Sequence, residues 1–389
     1  MRVCIVQNVS LADHLALSTY LTSIVKYLDR QSDLELILIT CKGSRPIPEM
    51  WKHLEIREIP SDLYSVQGNL GFSRKVFNEL RNIESEGHLD VVHCLYPFSS
   101  LMGASLFKHR CPKTRIVYDI RSPWIDMSVE RGSIPRPLGK AYRTSAYCFE
   151  SVLSDNADGL IFITEGLQRH YETKIRLRER PHSTIPSGID LDHFIGSDGT
   201  AIRKKYGIED DEVVLGYVGG VSNMRELDFV IKGFKDARRE RKDIRLMIVG
   251  DGNDLVRLRG MAENDGNGDD IVFTGRVDFN EIPEYISALD IGLCHLPDKM
   301  VFRYSFPMKI LEYLACGVGV IASDINAHRE IANSVPGIEI YGNIESFVSS
   351  LCKIGRRDMR KFSGLERYDW TQICSSIREL WDQTLERGT

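Results

Sequence analysis

Ser305-Phe-Pro-Met-Lys-Ile-Leu-Glu-Tyr-Leu-Ala-Cys-Gly317, with the apolar run Val318–Ala322 behind it, decides how this chain folds. Pro307 fits the first turn of a helix, where its missing N–H costs nothing. Met308, Leu311, Leu314 and Ala315 recur at helical spacing, and Gly317 supplies the stop. Val318–Ala322 reads as a buried parallel strand. A helix over 307–316 therefore presents its N-terminus to a cleft, with a strand returning underneath. Unpaired N–H groups at such an N-terminus attract phosphate. Glu312, about one and a half turns in, offers a carboxylate to two vicinal hydroxyls. A phosphate site and a diol acceptor on one short helix suit a nucleotide sugar, although helices of this kind also occur in α/β domains of any function.

Outward from this segment the chain alternates strands and helices. In the first half, strands are expected at Arg2–Gln7, Leu34–Ile39, Val91–Leu95, Arg115–Asp119 and Gly159–Ile163. Amphipathic stretches separate them, including Leu15–Asp29, Val76–Ser85 and Gly139–Ser154. In the second half, Val213–Val218, Arg245–Val249, Ile271–Thr274, Ile291–Cys294 and Val318–Ala322 repeat the pattern. Such alternation implies parallel sheets covered on both faces. A chain of 389 residues exceeds what one core supports, so two domains are expected, 1–185 and 186–369, joined near Pro186–Phe194.

Composition narrows the class. With 42% hydrophobic and 27% charged residues, the chain is an ordinary globular protein. A net charge of −5 argues against general nucleic-acid binding. Nine cysteines without a C-x-x-C pair point to reduced thiols in a cytosolic protein. The chain enters a strand at Met1-Arg-Val-Cys-Ile with no signal peptide expected. No apolar run reaches the ~18 residues of a membrane span.

The opening segment resembles the donor-binding signature of glycosyltransferase family 4, among the group 1 glycosyl transferases, which share the two-domain GT-B architecture. That signature normally has two glutamates separated by seven residues. Here Tyr304 stands at the first place and Glu312 at the second, while Ser305, Pro307, Lys309 and Glu312-Tyr313 match a variant form. Other matches fall in the family's order: Ile185–Phe194 as the interdomain segment, Leu215–Gly220 as the strand and turn opening the second domain, then Leu246–Gly252, Ile271–Val277 and Pro283–Leu293. The resemblance implies an α/β, GT-B fold, two Rossmann-like parallel-sheet domains facing an interdomain cleft. The first would bind the acceptor and the second the donor, with the last helix, within 370–389, packing back on the first. It further implies retaining transfer from a UDP- or GDP-linked sugar, no other cofactor, and a glycan or lipid-linked hydroxyl acceptor in cell-surface polysaccharide or glycoconjugate synthesis.

Ligands of such sheets bind beyond the carboxyl ends of the strands. Gly219-Gly220 permits close backbone approach to a diphosphate. Arg225 falls where the family keeps a basic residue on the donor phosphates; a solvated helix-start charge is the other reading. Many relatives carry arginine in place of Gly220, so Lys309, or failing it Arg303, is the expected second cation. A cation matters there because breaking the sugar–phosphate bond leaves a diphosphate of growing negative charge. Gly250-Asp-Gly252 resembles a nucleotide turn, though a tight turn before a capped helix explains it as well. Gly275-Arg276-Val277 lies where the family packs the base. Arg276 and Val277 thereby join Gly250, Ser305, Phe306, Pro307, Met308, Lys309 and Glu312 in the expected donor site. Glu330 matches an acidic helix-start residue. On the acceptor side, Asn8-Val-Ser-Leu replaces the glycine pair usual after the first strand. Asp119 and Arg121 are candidates for acceptor or sugar contacts, or for a structural ion pair. His93 reads as a satisfied strand-end histidine.

No metal is expected. Asp190-Leu-Asp192 spells D-x-D but lies in the interdomain turn, and His93-Cys94 and Cys294-His295 are strand neighbours pointing to opposite faces. Arg169, Lys174, Arg176, Arg178 and Arg180 are opposed only by Glu172 and Glu179. This run is either a solvated face or, if helical, a contact for anionic lipid, which would make the protein cytoplasmic and peripheral at the inner membrane face. Two rival functions stand beside glycosyl transfer. A nucleotide-sugar epimerase of the same architecture would need acid/base carboxylates, which Tyr304 disfavours. A non-catalytic donor-binding subunit is suggested by Tyr304 and Gly220.

Overall fold

The computed structural model describes residues 1–387 except 12–15, 62–65, 178–179, 264–269 and 356–360. It forms two units, Met1–Ser187 with Tyr304–Phe306 and Trp370–Thr389, and Gly188–Arg303 with Pro307–Asp369.

The first unit holds a seven-stranded sheet in the order β3-β2-β1-β4-β5-β6-β7. Its strands are β1 (Arg2–Gln7), β2 (Glu35–Cys41), β3 (Glu55–Ile59), β4 (Val91–Leu95), β5 (Arg115–Ile120), β6 (Gly159–Phe162) and β7 (His182–Thr184), all parallel. Because strand side chains alternate, Cys4 and Val6 enter one core and Val3 and Ile5 the other. The helices Val66–Glu86, Ser99–Lys108 and Gly139–Ser154 cover the first core. Ala16–Leu28 and the C-terminal Trp370–Glu386 cover the second, where Ile373, Ile377, Leu380 and Trp381 are buried. Each such aliphatic side chain contributes about 1.5–3 kcal/mol. Trp381 Nε1 also donates to His93 Nδ1 at 3.2 Å, which ties the helix to β4.

The second unit holds a six-stranded sheet in the order β10-β9-β8-β11-β12-β13. Its strands, again parallel, are β8 (Val213–Val218), β9 (Ile244–Val249), β10 (Ile271–Gly275), β11 (Ile291–Cys294), β12 (Gly319–Ser323) and β13 (Ile338–Tyr341). The order reverses between β8 and β11, the place where a doubly wound sheet opens to a ligand. The helix Met308–Ala315 packs there through Tyr313, whose hydroxyl accepts from Val218 N at 2.8 Å. Gly292 makes room for the ring, since a Cβ there would lie 2.4 Å from it. Gly317, at φ 71°, ends the helix in a Schellman turn: Gly317 N donates to Leu314 O and Val318 N to Tyr313 O, both at 2.9 Å.

The structure departs from the sequence reading at the margins. Pro307 is the N-cap (φ −87°, ψ 72°), so the helix begins at Met308. Strands β3, β7 and β13 escaped the reading because their residues are mostly half-exposed and mixed in character. The helix expected over Val76–Ser85 begins at Val66; Gly68, Asn69 and Gly71 are weak helix formers that hid its first half. Leu15 lies outside the described residues.

Candidate functional site

The exits of β8, β9 and β10 lock together through backbone. Gly219 N donates to Val249 O at 2.8 Å, Gly250 N to Gly275 O at 3.0 Å and Val221 N to Asp251 O at 2.9 Å. Gly250 has φ 138°, and a Cβ there would stand 2.0 Å from Gly219 O. No other residue fits, so Gly250 has a structural reason to be glycine whether or not it meets a ligand.

Lys309 comes to the same exit from the helix. Its Nζ donates to Tyr217 OH at 2.8 Å and lies 4.1 Å from that ring's centroid. A Cβ on Gly219 would stand 2.3 Å from Nζ, so the bare backbone of Gly219 admits the lysine. Tyr217 OH in turn donates to Gly220 O at 2.9 Å. Arg225 ends a single turn, Asn223–Arg225, with its guanidinium 5.7 Å from the Phe302 ring. Glu226 follows at φ 52°, a left-handed conformation rare outside glycine. Cys294 ends β11, within the field of both cations. Burial would raise the Cys294 pKa, but His328, then Lys309 and Arg225, hold it below its ordinary value.

Glu312 is half-buried on the same helix. Burial raises its pKa, with Lys309 pulling the other way. Among the described residues no hydrogen bond or ion pair to its carboxylate is present. A desolvated acid with no protein partner is costly unless something else supplies one.

Several expected residues sit elsewhere. Arg303 is held in a two-pronged pair by Asp298, at 2.8 and 2.9 Å, whereas Lys309 has no acidic partner among the described residues. Glu330 lies beyond the first turn of Asn326–Ala332, so it is not a helix-start acid. Ser305 and Phe306 cluster with the first unit; Phe306 and Tyr304 pack on its core, Thr164 Oγ1 donates to Tyr304 O at 3.1 Å, and Tyr304 lies 5.0 Å from the His170 ring. Arg276 is exposed and Val277 half-buried, just past Gly275 at φ 73°.

In the first unit, Asp119 is fully buried and accepts from Tyr20 OH at 3.0 Å, with Arg121 Nη1 and His93 Nε2 each at 3.5 Å. Burial would raise its pKa; Arg121, His93 and Tyr20 outweigh that and hold it low. Arg121 also donates to Ile185 O at 3.1 Å and Ser187 Oγ at 2.7 Å. The two thus form a structural ion pair holding the end of the unit. The basic run is not one helix either: Glu165–Glu172 includes only Arg169, and Arg180 donates to the carbonyls of Ser154, Ala157, Leu177 and Arg176. Arg178 lies outside the described residues.

Sequence reasoning missed Tyr217 and the buried pair Cys294 Sγ···His328 Nε2 at 3.4 Å. Tyr217 had a signal, since it shares a strand face with Gly219. The Cys294–His328 pair had none, being joined only by the fold. Among the described residues no three His, Cys, Asp or Glu side chains group as metal ligands, and no helix is long and apolar enough to cross a membrane.

Two doubly wound parallel sheets, of seven and six strands, make the GT-B fold of glycosyltransferases. The model of Glycosyltransferase Family 4 matches residues 17–193 and that of glycosyl transferases group 1 matches 198–349, and the chain belongs to this family. It is similar to alpha-monoglucosyldiacylglycerol synthase of Streptococcus pneumoniae, at 24% identity over 78% of this chain and 67% of that protein. It is also similar to D-inositol 3-phosphate glycosyltransferase of Geodermatophilus obscurus, at 24% identity over 85% of this chain and 76% of that one. Among solved structures, Anabaena Alr3699/HepE in complex with UDP superposes with a TM-score of 0.73 at 16% identity, covering 98% of this chain and 100% of that one. The protein is a glycosyltransferase.

Proposed function

We propose that this enzyme transfers a sugar, with retention, from a nucleoside-diphosphate sugar to a hydroxyl of a glycan or lipid-linked acceptor in polysaccharide or glycolipid assembly. The observation that carries the reading is Glu312, a half-buried carboxylate without a protein partner on the helix that also presents Lys309. Two ribose hydroxyls would satisfy it. Lys309 and Arg225 would hold the diphosphate, with the N-terminus of Met308–Ala315 adding partial positive charge. As the glycosidic bond to phosphate breaks, the leaving diphosphate gains charge, and fixed cations lower the barrier by stabilising that state. Arg276 and Val277 lie where the base would pack, against backbone that does not choose between uracil and guanine. Pro307 and Met308 lead into that helix on the donor side. UDP in the similar Anabaena structure supports a nucleotide-sugar donor. Asp119 and Arg121 serve the acceptor side as positioning residues, through the pair described above. Arg169, Lys174 and Arg176, all exposed in the 169–182 run, would be the cations that meet anionic lipid.

The test is a thermal-shift screen of UDP- and GDP-sugars, then mass-spectrometric detection of nucleoside diphosphate released with an acceptor. Release that depends on acceptor supports transfer. Donor binding without release under any acceptor would leave a non-catalytic subunit, and conversion of the donor to its epimer would overturn the proposal.

A further inference from the structure

Lys299 grips the chain on both sides of Arg225. Its Nζ lies 2.7 Å from Glu226 Oε1 and donates to Met224 O at 3.3 Å. Phe302 follows Lys299 by one turn, its N–H donating to Lys299 O at 2.9 Å, and its ring is the one that the Arg225 guanidinium meets. Phe302 is 9% exposed and packs with Leu296, Ile325 and Ala327, so that ring is a fixed platform. Asp298 and Arg303, paired with each other, close 298–303 into a bracket. All of these residues belong to the second unit.

The bracket holds a strained piece of backbone. Arg225 ends the turn Asn223–Arg225, and Glu226 caps it at φ 52°, ψ 46°. Among the described residues Glu226 is the only non-glycine at positive φ. A side chain there crowds the backbone, a cost that glycine avoids. The chain has to reverse at this point into the helix Asp228–Glu240, with Leu227 buried and Glu226 O accepting from Phe229 N at 3.0 Å. The ion pair does little to offset the strain. Both side chains are more than a third exposed, and such pairs add little stability. What the pair fixes is direction, because a strained residue persists only where its surroundings hold it.

We propose that Lys299 and Glu226 are positioning residues for glycosyl transfer: their pair, with Phe302 beside it, sets the direction in which Arg225 offers its guanidinium to the leaving diphosphate. This role rests on the assignment of Arg225 to that diphosphate. Lys299 and Glu226 act through Arg225 and do not touch the ligand.

A free nucleoside diphosphate carries the charge of the leaving group, and the monophosphate lacks one of its two phosphates. The experiment is therefore calorimetric titration of the full chain with UDP and UMP, and with GDP and GMP, at one ionic strength. Wild type should prefer the diphosphate of whichever base it binds. Arg225→Gln should lower diphosphate affinity about tenfold or more. Lys299→Gln and Glu226→Gln should each lower it about three- to tenfold, leave the monophosphate within about twofold, and add nothing to Arg225→Gln. Glu226→Gly should lose as much diphosphate affinity as Glu226→Gln yet melt no lower than wild type, a divergence that a merely structural role would not produce. Equal affinity of wild type for diphosphate and monophosphate, or wild-type affinity in Arg225→Gln, overturns the assignment of Arg225 and the positioning role with it. A loss in Arg225→Gln with none in Glu226→Gln overturns the positioning role alone. A loss in Lys299→Gln that persists on top of Arg225→Gln overturns it too, since Lys299 would then meet the diphosphate directly.

Discussion

Glu312→Gln should weaken donor binding while leaving the empty protein at least as stable. The substitution keeps shape and removes the charge. If the carboxylate accepts from the ribose hydroxyls, losing a charged partner costs about 1.5–3 kcal/mol, or about ten- to 150-fold in affinity. The stability arm runs the other way. Burial raises the folded pKa of Glu312 above its unfolded value. Its contribution is therefore fully present below about pH 4.3 and is lost as pH rises through the folded value. Glutamine does not titrate, so the variant should match or exceed wild type in melting temperature near neutral pH, the gap closing towards about pH 4. Calorimetric titration with whichever of UDP or GDP binds wild type, and with its sugar, measures the first arm; thermal unfolding across pH measures the second. Unchanged affinity would refute the ribose assignment. Lost affinity together with a lower neutral-pH melting temperature would show that Glu312 supports the fold instead.

Lys309→Gln and Arg225→Gln should each lower turnover more than donor affinity, since both face charge that grows in the transition state. Their combined effect should depart from additivity by about 0.5–3 kcal/mol, read from a double-mutant cycle of kcat; simple additivity would mean that they act on different groups. In the first unit, Glu150 is buried with Tyr118 OH donating to it at 2.8 Å, and with Tyr96, Tyr147, Tyr171 and Asp126 around it. Burial pushes its pKa up to about 7. The sign is that of a raised acid, so wild-type stability should fall between about pH 4.5 and 7, by on the order of 3 kcal/mol, and Glu150→Gln should flatten that slope. Parallel profiles for wild type and variant would show that Glu150 does not titrate in this range.

The legible parts of the chain were those where one physical effect dominates. Val91–Leu95, Val213–Val218 and Ile291–Cys294 are nearly or wholly buried, so their sequences are apolar runs and their limits were read correctly. The edge strands β3, β7 and β13 pair on one side only, and their polar residues obscure them, whereas the more apolar edge strand β10 was read. Glu312 and Lys309 were visible because helical spacing puts them on one short element. What they meet was not. Tyr217 precedes Lys309 by 92 positions, and at Gly219 the positive φ of 136° and the lysine lying across it both call for bare backbone, neither of them visible in the sequence. Arg303 shows the converse, a suitable cation in sequence that Asp298 occupies in the fold.

The chain leaves its first unit at Ser187 and rejoins it for good only at Trp370. During synthesis the second unit's sequence has therefore fully emerged before the helix Trp370–Glu386 exists. Until then β1, β4 and β5 wait with one apolar face open where Ile377, Leu380 and Trp381 will sit. A ribosome that stops early would release a whole donor-side unit attached to an unfinished sheet, a species open to aggregation and to chaperone capture. Small losses at the extreme C-terminus should therefore reduce how much protein accumulates in the cell, with little change in the residues that carry out transfer.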